Sequence, residues 1–331
     1  MIPSASTPSP AAELHRPQVF ATVVVLTATI AALAPAGAAG SELSRWSVAV
    51  LVGVIAVLGI PHGAVDHLVA ERLVADPVGR FARWSFSLRY IAAMAAYAVV
   101  WLVAPSLALV IFLLSSVHHF GQSDLAYLRL VGHLQLAVQW SRGVFLIGVP
   151  LVGHLEAVGP VIESLGGGQP ATWPWLAEYW QIWVVVLVGQ HVLVGGVAAW
   201  HRDNLPAVRR EALTVVILTV LFLRTDPLLG FAVYFGLWHS MAHLLVLMNA
   251  LGPPGSSDRA LRVRDFFRLA APRSLVAVTA AAVLVGFAQF VGRGDLLLPV
   301  VFVMVSLLTL PHMVVVEQMW RSSRSCRTVS V

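Results

Sequence analysis

The apolar residues of this chain fall into long runs divided by short polar gaps. A helix that crosses a membrane needs about 20 mostly apolar residues. Runs approaching or reaching that length lie near 18–39, 46–67, 86–104, 106–126, 134–153, 176–199, 209–224, 227–250, 273–292 and 295–319. Only Ala104-Pro105 divides the third run from the fourth, and only Arg224-Thr225-Asp226-Pro227 divides the seventh from the eighth. The pattern predicts an all-α, polytopic membrane helical bundle of about ten transmembrane helices, with eight to ten the range these short dividers allow. Residues 1–16, rich in Ser and Pro, read as a disordered tail, 17–320 as a single transmembrane domain and 321–331 as a cytoplasmic tail. The first run is not preceded by a basic segment of the kind that opens a cleaved signal. The stretch 154–175, with Glu156, Glu163 and Gly166-Gly167-Gly168, reads as an outer loop holding a short surface helix. No internal repeat is visible.

Composition agrees with the pattern. Of 331 residues, 58% are hydrophobic and 11% charged, with mean hydropathy +0.83, against about 25% charged in a soluble globular chain. This excludes the two-domain soluble enzyme that length alone suggests, and it excludes disorder. The single cysteine, Cys326, excludes a disulfide scaffold. The net charge of +5 comes from 21 basic residues, all arginine. They sit in the gaps between apolar runs and form no soluble basic face, so nucleic acid is not an expected partner.

The arginines also orient the chain. Cytoplasmic loops carry the excess of basic residues. With the N-terminus inside, 17 arginines fall on the inner side and three (Arg45, Arg224, Arg293) on the outer, leaving Arg142 within a run. Merging or dropping one span breaks this partition. The expectation is a multi-pass protein of the cell membrane with both termini in the cytoplasm.

Against this background the histidines stand out, because an ionisable group inside a span is costly and is by default a functional-site hypothesis. Four strings carry the chain's intramembrane histidines of interest: Gly59-Ile60-Pro61-His62-Gly63-Ala64-Val65-Asp66, His118-His119-Phe120-Gly121 with Asp124, Trp238-His239 with His243, and Pro311-His312. At 1.5 Å per residue, His62, His119, His239, His243 and His312 lie roughly 18–25 Å from the outer ends of their spans. Ligands of one metal must agree in depth; scattered structural histidines need not. His239 and His243, at i and i+4, share a helix face. His118 and His119 lie about 100° apart on a helix, so both do not face one metal. An all-imidazole site suits Fe, Zn, Cu or Ni. Asp66, one turn after His62, is placed to accept the free ring N–H of a ligand histidine. His312 reads as a fifth ligand, a supporting group or a channel residue, and Trp238 as a residue that could line an apolar tunnel. Asp124 reads as a cap or loop-facing acid and Glu317 as interfacial. His15, His67, His133, His154 and His201 read as interfacial, and His191 as a helix–helix hydrogen-bond partner.

The four strings, in this order and spacing, resemble the Brp/Blh family of bacterial and archaeal membrane β-carotene 15,15'-dioxygenases over about 60–320. The resemblance implies an Fe(II) held by His62, His119, His239 and His243. It implies cleavage of the central double bond of β-carotene with O2 to give two all-trans-retinal, and a functional link to a retinal-binding rhodopsin. It implies no further catalytic acid or base. A bilayer-soluble substrate fits a site within the spans. Other readings stay open here: a b-type haem protein with paired histidines, a carotenoid- or retinal-binding homologue without activity, a transition-metal transporter, and a fatty-acid desaturase. The last normally carries HxxHH sets, which this chain lacks.

Overall fold

A computed structural model describes residues 43–73, 80–125, 132–168, 173–200, 205–252, 261–292 and 296–328. The expected tail 1–16 and first span 18–39 lie outside the described residues. Every described element is helical: α1 (Arg45–Arg72), α2 (Arg80–Val103), α3 (Pro105–Asp124), α4 (Gly132–Gly153), α5 (Leu155–Leu165), α6 (Trp180–Ala199), α7 (Leu205–Arg224), α8 (Pro227–Leu251), α9 (Val263–Phe290) and α10 (Leu297–Thr328), with a short helix, Pro174–Glu178, before α6. Among the described residues, eight helices are long and apolar enough to cross a membrane. These are α1–α4, α6 and α8–α10, so the chain is an all-α polytopic membrane protein.

The helix α7 covers the expected span 209–224 and is as long as its neighbours, but Arg209, Arg210 and Glu211 near its start keep it out of that set by composition. α9 begins ten residues before the expected span start at 273. Its first turns carry Arg264, Arg268 and Arg273 in a helix rather than a loop, in keeping with the good helix propensity of arginine. The 154–175 stretch does hold a short helix, α5.

Caps and arginines tie the helix ends together. Asp226 caps α8, accepting from the amides of Leu228 and Leu229, with Pro227 in the first turn where no N–H is needed. It also accepts from the Ser44 amide at 3.1 Å, joining the starts of α1 and α8. At the other end, Arg72 of α1 donates to the carbonyls of Ala250, Leu251 and Gly252, groups that the end of α8 leaves unpaired. The two helices therefore run parallel, pinned at both ends.

Between lipid-soluble helices, close backbone approach replaces the hydrophobic driving force. α3 and α4 cross where a Cβ on Gly121 would fall on the Gln139 carbonyl and one on Gly143 on the Val117 carbonyl. α1 and α8 meet at π-helical segments, Ile55–Gly59 and Tyr234–Ser240. There a Cβ on Gly59 would lie 2.8 Å from the Phe235 ring, and one on Gly236 2.5 Å from Val54. Such π segments inside helices are frequent at functional sites.

Candidate metal centre and apolar cavity

The helices bring five histidines to one place. α1 presents His62 just after its π segment, α3 presents His119, α8 presents His239 from within its π segment and His243 one turn on, and α10 presents His312 after Pro311. All five are at most 5% exposed. The His62 ring centroid lies 5.0 Å from that of His312, 5.4 Å from His243 and 6.0 Å from His239. His119 lies 5.0 Å from His239 and 5.2 Å from His312, and His243 lies 5.6 Å from His312. His239 and His243 are parallel at 6.4 Å, the outcome of their i, i+4 spacing.

Three of the five rings are set by identifiable neighbours. His62 Nδ1 is 3.1 Å from the Leu58 carbonyl and donates to it, so its Nε2 is the free nitrogen. His312 Nδ1 donates to both Asp66 oxygens, at 2.9 and 3.0 Å, and the Tyr90 hydroxyl donates to the same carboxylate at 3.1 Å. Asp66 thus serves His312 across 246 positions of sequence, rather than His62 one turn away on its own helix. His62 is already satisfied by its own backbone. His239 lies face to face with Phe235 and edge-on to Phe120 at 4.6 Å.

A second carboxylate lies behind His239. Asp124 Oδ1 is 3.6 Å from His239 Nδ1. Asp124 is buried rather than at a loop, accepting from Tyr234 at 3.1 Å and from Arg142 at 3.3 Å. Arg142 also meets Glu211 at 2.7 Å, and Glu211 meets His191, whose Nδ1 lies 2.8 Å from Ser141. His191 is thus a helix–helix bridge, as its sequence setting suggested. Asp124, Glu211 and Tyr234 were not read as site residues. The available signal was Arg142, a charge within a span that had to find acids at its own depth.

The remaining polar residues sort themselves away from the cluster. His118 turns to Trp140, at 5.8 Å. His154, half-buried, bonds the Phe222 carbonyl near the end of α7. His67 contacts Arg273, and His133 is exposed. Gln122 donates to Glu317, so that acid is partnered inside the bundle. Trp238 is 4% exposed, packs in the core and does not line the cavity; the α8 residues facing that space include Phe231, Phe235 and His239.

That cavity, about 550 Å³, runs along the histidines. Its wall includes His62, His119, His239 and His312 with Asp66, and is otherwise mostly apolar, with residues such as Phe112, Leu146, Phe231 and Phe302. Among the described residues, no group of three or more His, Cys, Asp or Glu side chains is arranged to hold a metal ion. One observation nevertheless fits a cation. Nitrogens of four rings (His119 Nδ1, both of His239, His243 Nε2 and His312 Nε2) are buried with no hydrogen-bond partner, a state that native structures rarely leave unexplained.

The fold and site define an integral membrane protein with a histidine-walled, otherwise apolar cavity inside the helix bundle. Residues 53–320 match the family model described as beta-carotene 15,15'-dioxygenase, and the chain belongs to that family. It is similar to a probable beta-carotene 15,15'-dioxygenase Blh of Halobacterium salinarum, with 30% identity over 88% of this chain and 90% of the relative. It is also similar to a beta-carotene 15,15'-dioxygenase of an uncultured marine bacterium, with 24% identity over 86% of this chain and 98% of the relative. No solved structure matches the chain.

Proposed function

We propose that this protein cleaves the central 15,15' double bond of β-carotene with O2, giving two molecules of all-trans-retinal. The double bond breaks and each of its carbons gains one oxygen atom, so no external reductant or proton is needed. The observation that carries this reading is the set of buried, unpartnered imidazole nitrogens beside a mostly apolar cavity, in a chain of this family.

The metal would be Fe(II), held by His62, His119, His239 and His243, with His312 facing the same space from its Asp66 support. Bound there, iron supplies the capacity to bind and activate O2. The chain's own part is placement and exclusion of water. Phe120 and Phe235 brace His239, Leu58 aims His62, and Asp66 with Tyr90 aims His312. The apolar wall holds a polyene along the bundle so that its central bond, and not another, lies at the histidines. The arginine-rich side faces the cytoplasm in this reading, the bilayer delivers the substrate, and the retinal formed would serve a retinal-binding rhodopsin.

Co-expression in a bacterium that accumulates β-carotene tests the reading. The cells are expected to lose their orange colour while retinal appears in extracts. Persistent colour with well-inserted protein, or a Soret band on the purified protein, would overturn it.

A further inference from the structure

The cavity is closed on most sides by helices packed on one another, but its relation to the surface is uneven. Of the side chains that line it, those also exposed on the outside of the bundle are Ile91 on α2 and Arg273, Val276 and Ala280 on α9. Ile91 is 61% exposed and Val276 70%. Lining residues from α1, α3, α4, α5, α8 and α10 are buried or half-buried. A side chain that meets the cavity on one side and the surroundings on the other marks an opening, and all four flank a single seam. α2 and α9 each pack on α10 but scarcely touch one another.

The seam has a consistent chemistry. Ile91 and Met94 share one face of α2, and Val276, Ala277 and Ala280 one face of α9. Two of these are alanines, which leave width between the helices. The polar exception is Arg273, whose Nη1 donates to His67 Nε2 at 2.7 Å at one end of the seam. Tyr90, beside Ile91 in sequence, donates to the carboxylate that holds His312. The opening therefore leads directly to the histidine wall.

We propose that the seam between α2 and α9 is a lateral portal, through which a long apolar molecule passes between the acyl chains of the bilayer and the cavity. Passage through an aqueous mouth would expose the whole apolar surface to water, which is unfavourable in proportion to the area exposed. Passage between two lipid-facing helices avoids that exposure. The choice of β-carotene as the molecule rests on the proposed function; the portal itself rests on the exposure pattern.

The test uses full-length protein carrying Val276→Cys with Cys326→Ser, so that one thiol remains. This thiol is capped with a bulky methanethiosulfonate, and β-carotene is offered in phosphatidylcholine vesicles without O2. Uptake is read as carotenoid that co-purifies with the protein over time. Capping is expected to slow uptake about tenfold, with recovery on adding reductant. The same adduct on Val283→Cys, which is 64% exposed on α9 but off the cavity, is expected to leave uptake unchanged. Uptake at the uncapped rate by fully capped Val276→Cys protein would overturn the portal, as would equal slowing at Val283→Cys. Admitting O2 and measuring retinal scores the reaction separately. Carotene taken up but never cleaved would count against the enzymatic reading and leave the portal standing.

Discussion

At the scale of single residues, the histidines were legible because a polar group in an apolar run has few reasons to be there. The rise of an α-helix then placed five of them at similar depth without a structure. What each ring leans on was not legible. His312 and Asp66 are 246 positions apart, and no local spacing relates them. Asp124 sat near the end of a predicted span, where solvent was the ordinary partner, and only the packing of α3 against α4 and α8 reveals Arg142 and Tyr234 around it. Asp66 offers the sharpest residue-level prediction. Removing its charge while keeping its shape leaves the His312 ring loosely aimed. With His312 as a fifth ligand beside His62, His119, His239 and His243, Asp66→Asn is expected to lower iron affinity about 10- to 100-fold, measured as iron retained against a competing chelator, with helix content and membrane insertion unchanged. Retention equal to the parent would remove Asp66 from the support of the site.

At the scale of elements, most helices fell within a few residues of the apolar runs, since the bilayer fixes their length. The exceptions have local causes. Arginine extends α9 beyond its apolar part, and charges at the start of α7 separate a long helix from an unambiguous span. The π segments were invisible in the pattern, because they come from how α1 and α8 fit together rather than from the apolar spacing of either. The glycine of the His-Phe-Gly string now has a mechanical reason: it lets α3 approach α4 until backbone nearly meets backbone. In Gly121→Ala the added methyl would fall on the Gln139 carbonyl, which cannot rotate aside as a side chain could. A loss of about 1–3 kcal/mol is expected, seen as a lower thermal midpoint in detergent and poorer yield. Gly53→Ala is the matched control, with nothing within 4 Å of the new methyl. Equal midpoints for the two variants would mean that the α3–α4 crossing relaxes freely.

At the scale of the whole molecule, the class was legible from composition, but the cavity and its lateral seam were not, because they arise where six or more helices leave space. Orientation lies between these cases. It is argued from the arginine partition, and two of those arginines lie toward the same end of the bundle. Arg72 closes the carbonyl end of α8, and Arg273 stands at one end of the seam. Both therefore mark the same side of the bundle as the start of α9. The C-terminal helix α10 ends in Arg321, Arg324 and Arg327, with Cys326 among them. Arginines next to a span resist transfer across the bilayer, so this end should stay in the cytoplasm. As the chain's one thiol, Cys326 reports its own side without engineering. A membrane-impermeant maleimide is expected to leave it unlabelled on intact cells and to label it once the cells are opened. Labelling of intact cells would invert the bundle, moving the portal's Arg273 end from the inner to the outer leaflet while leaving the internal site unchanged.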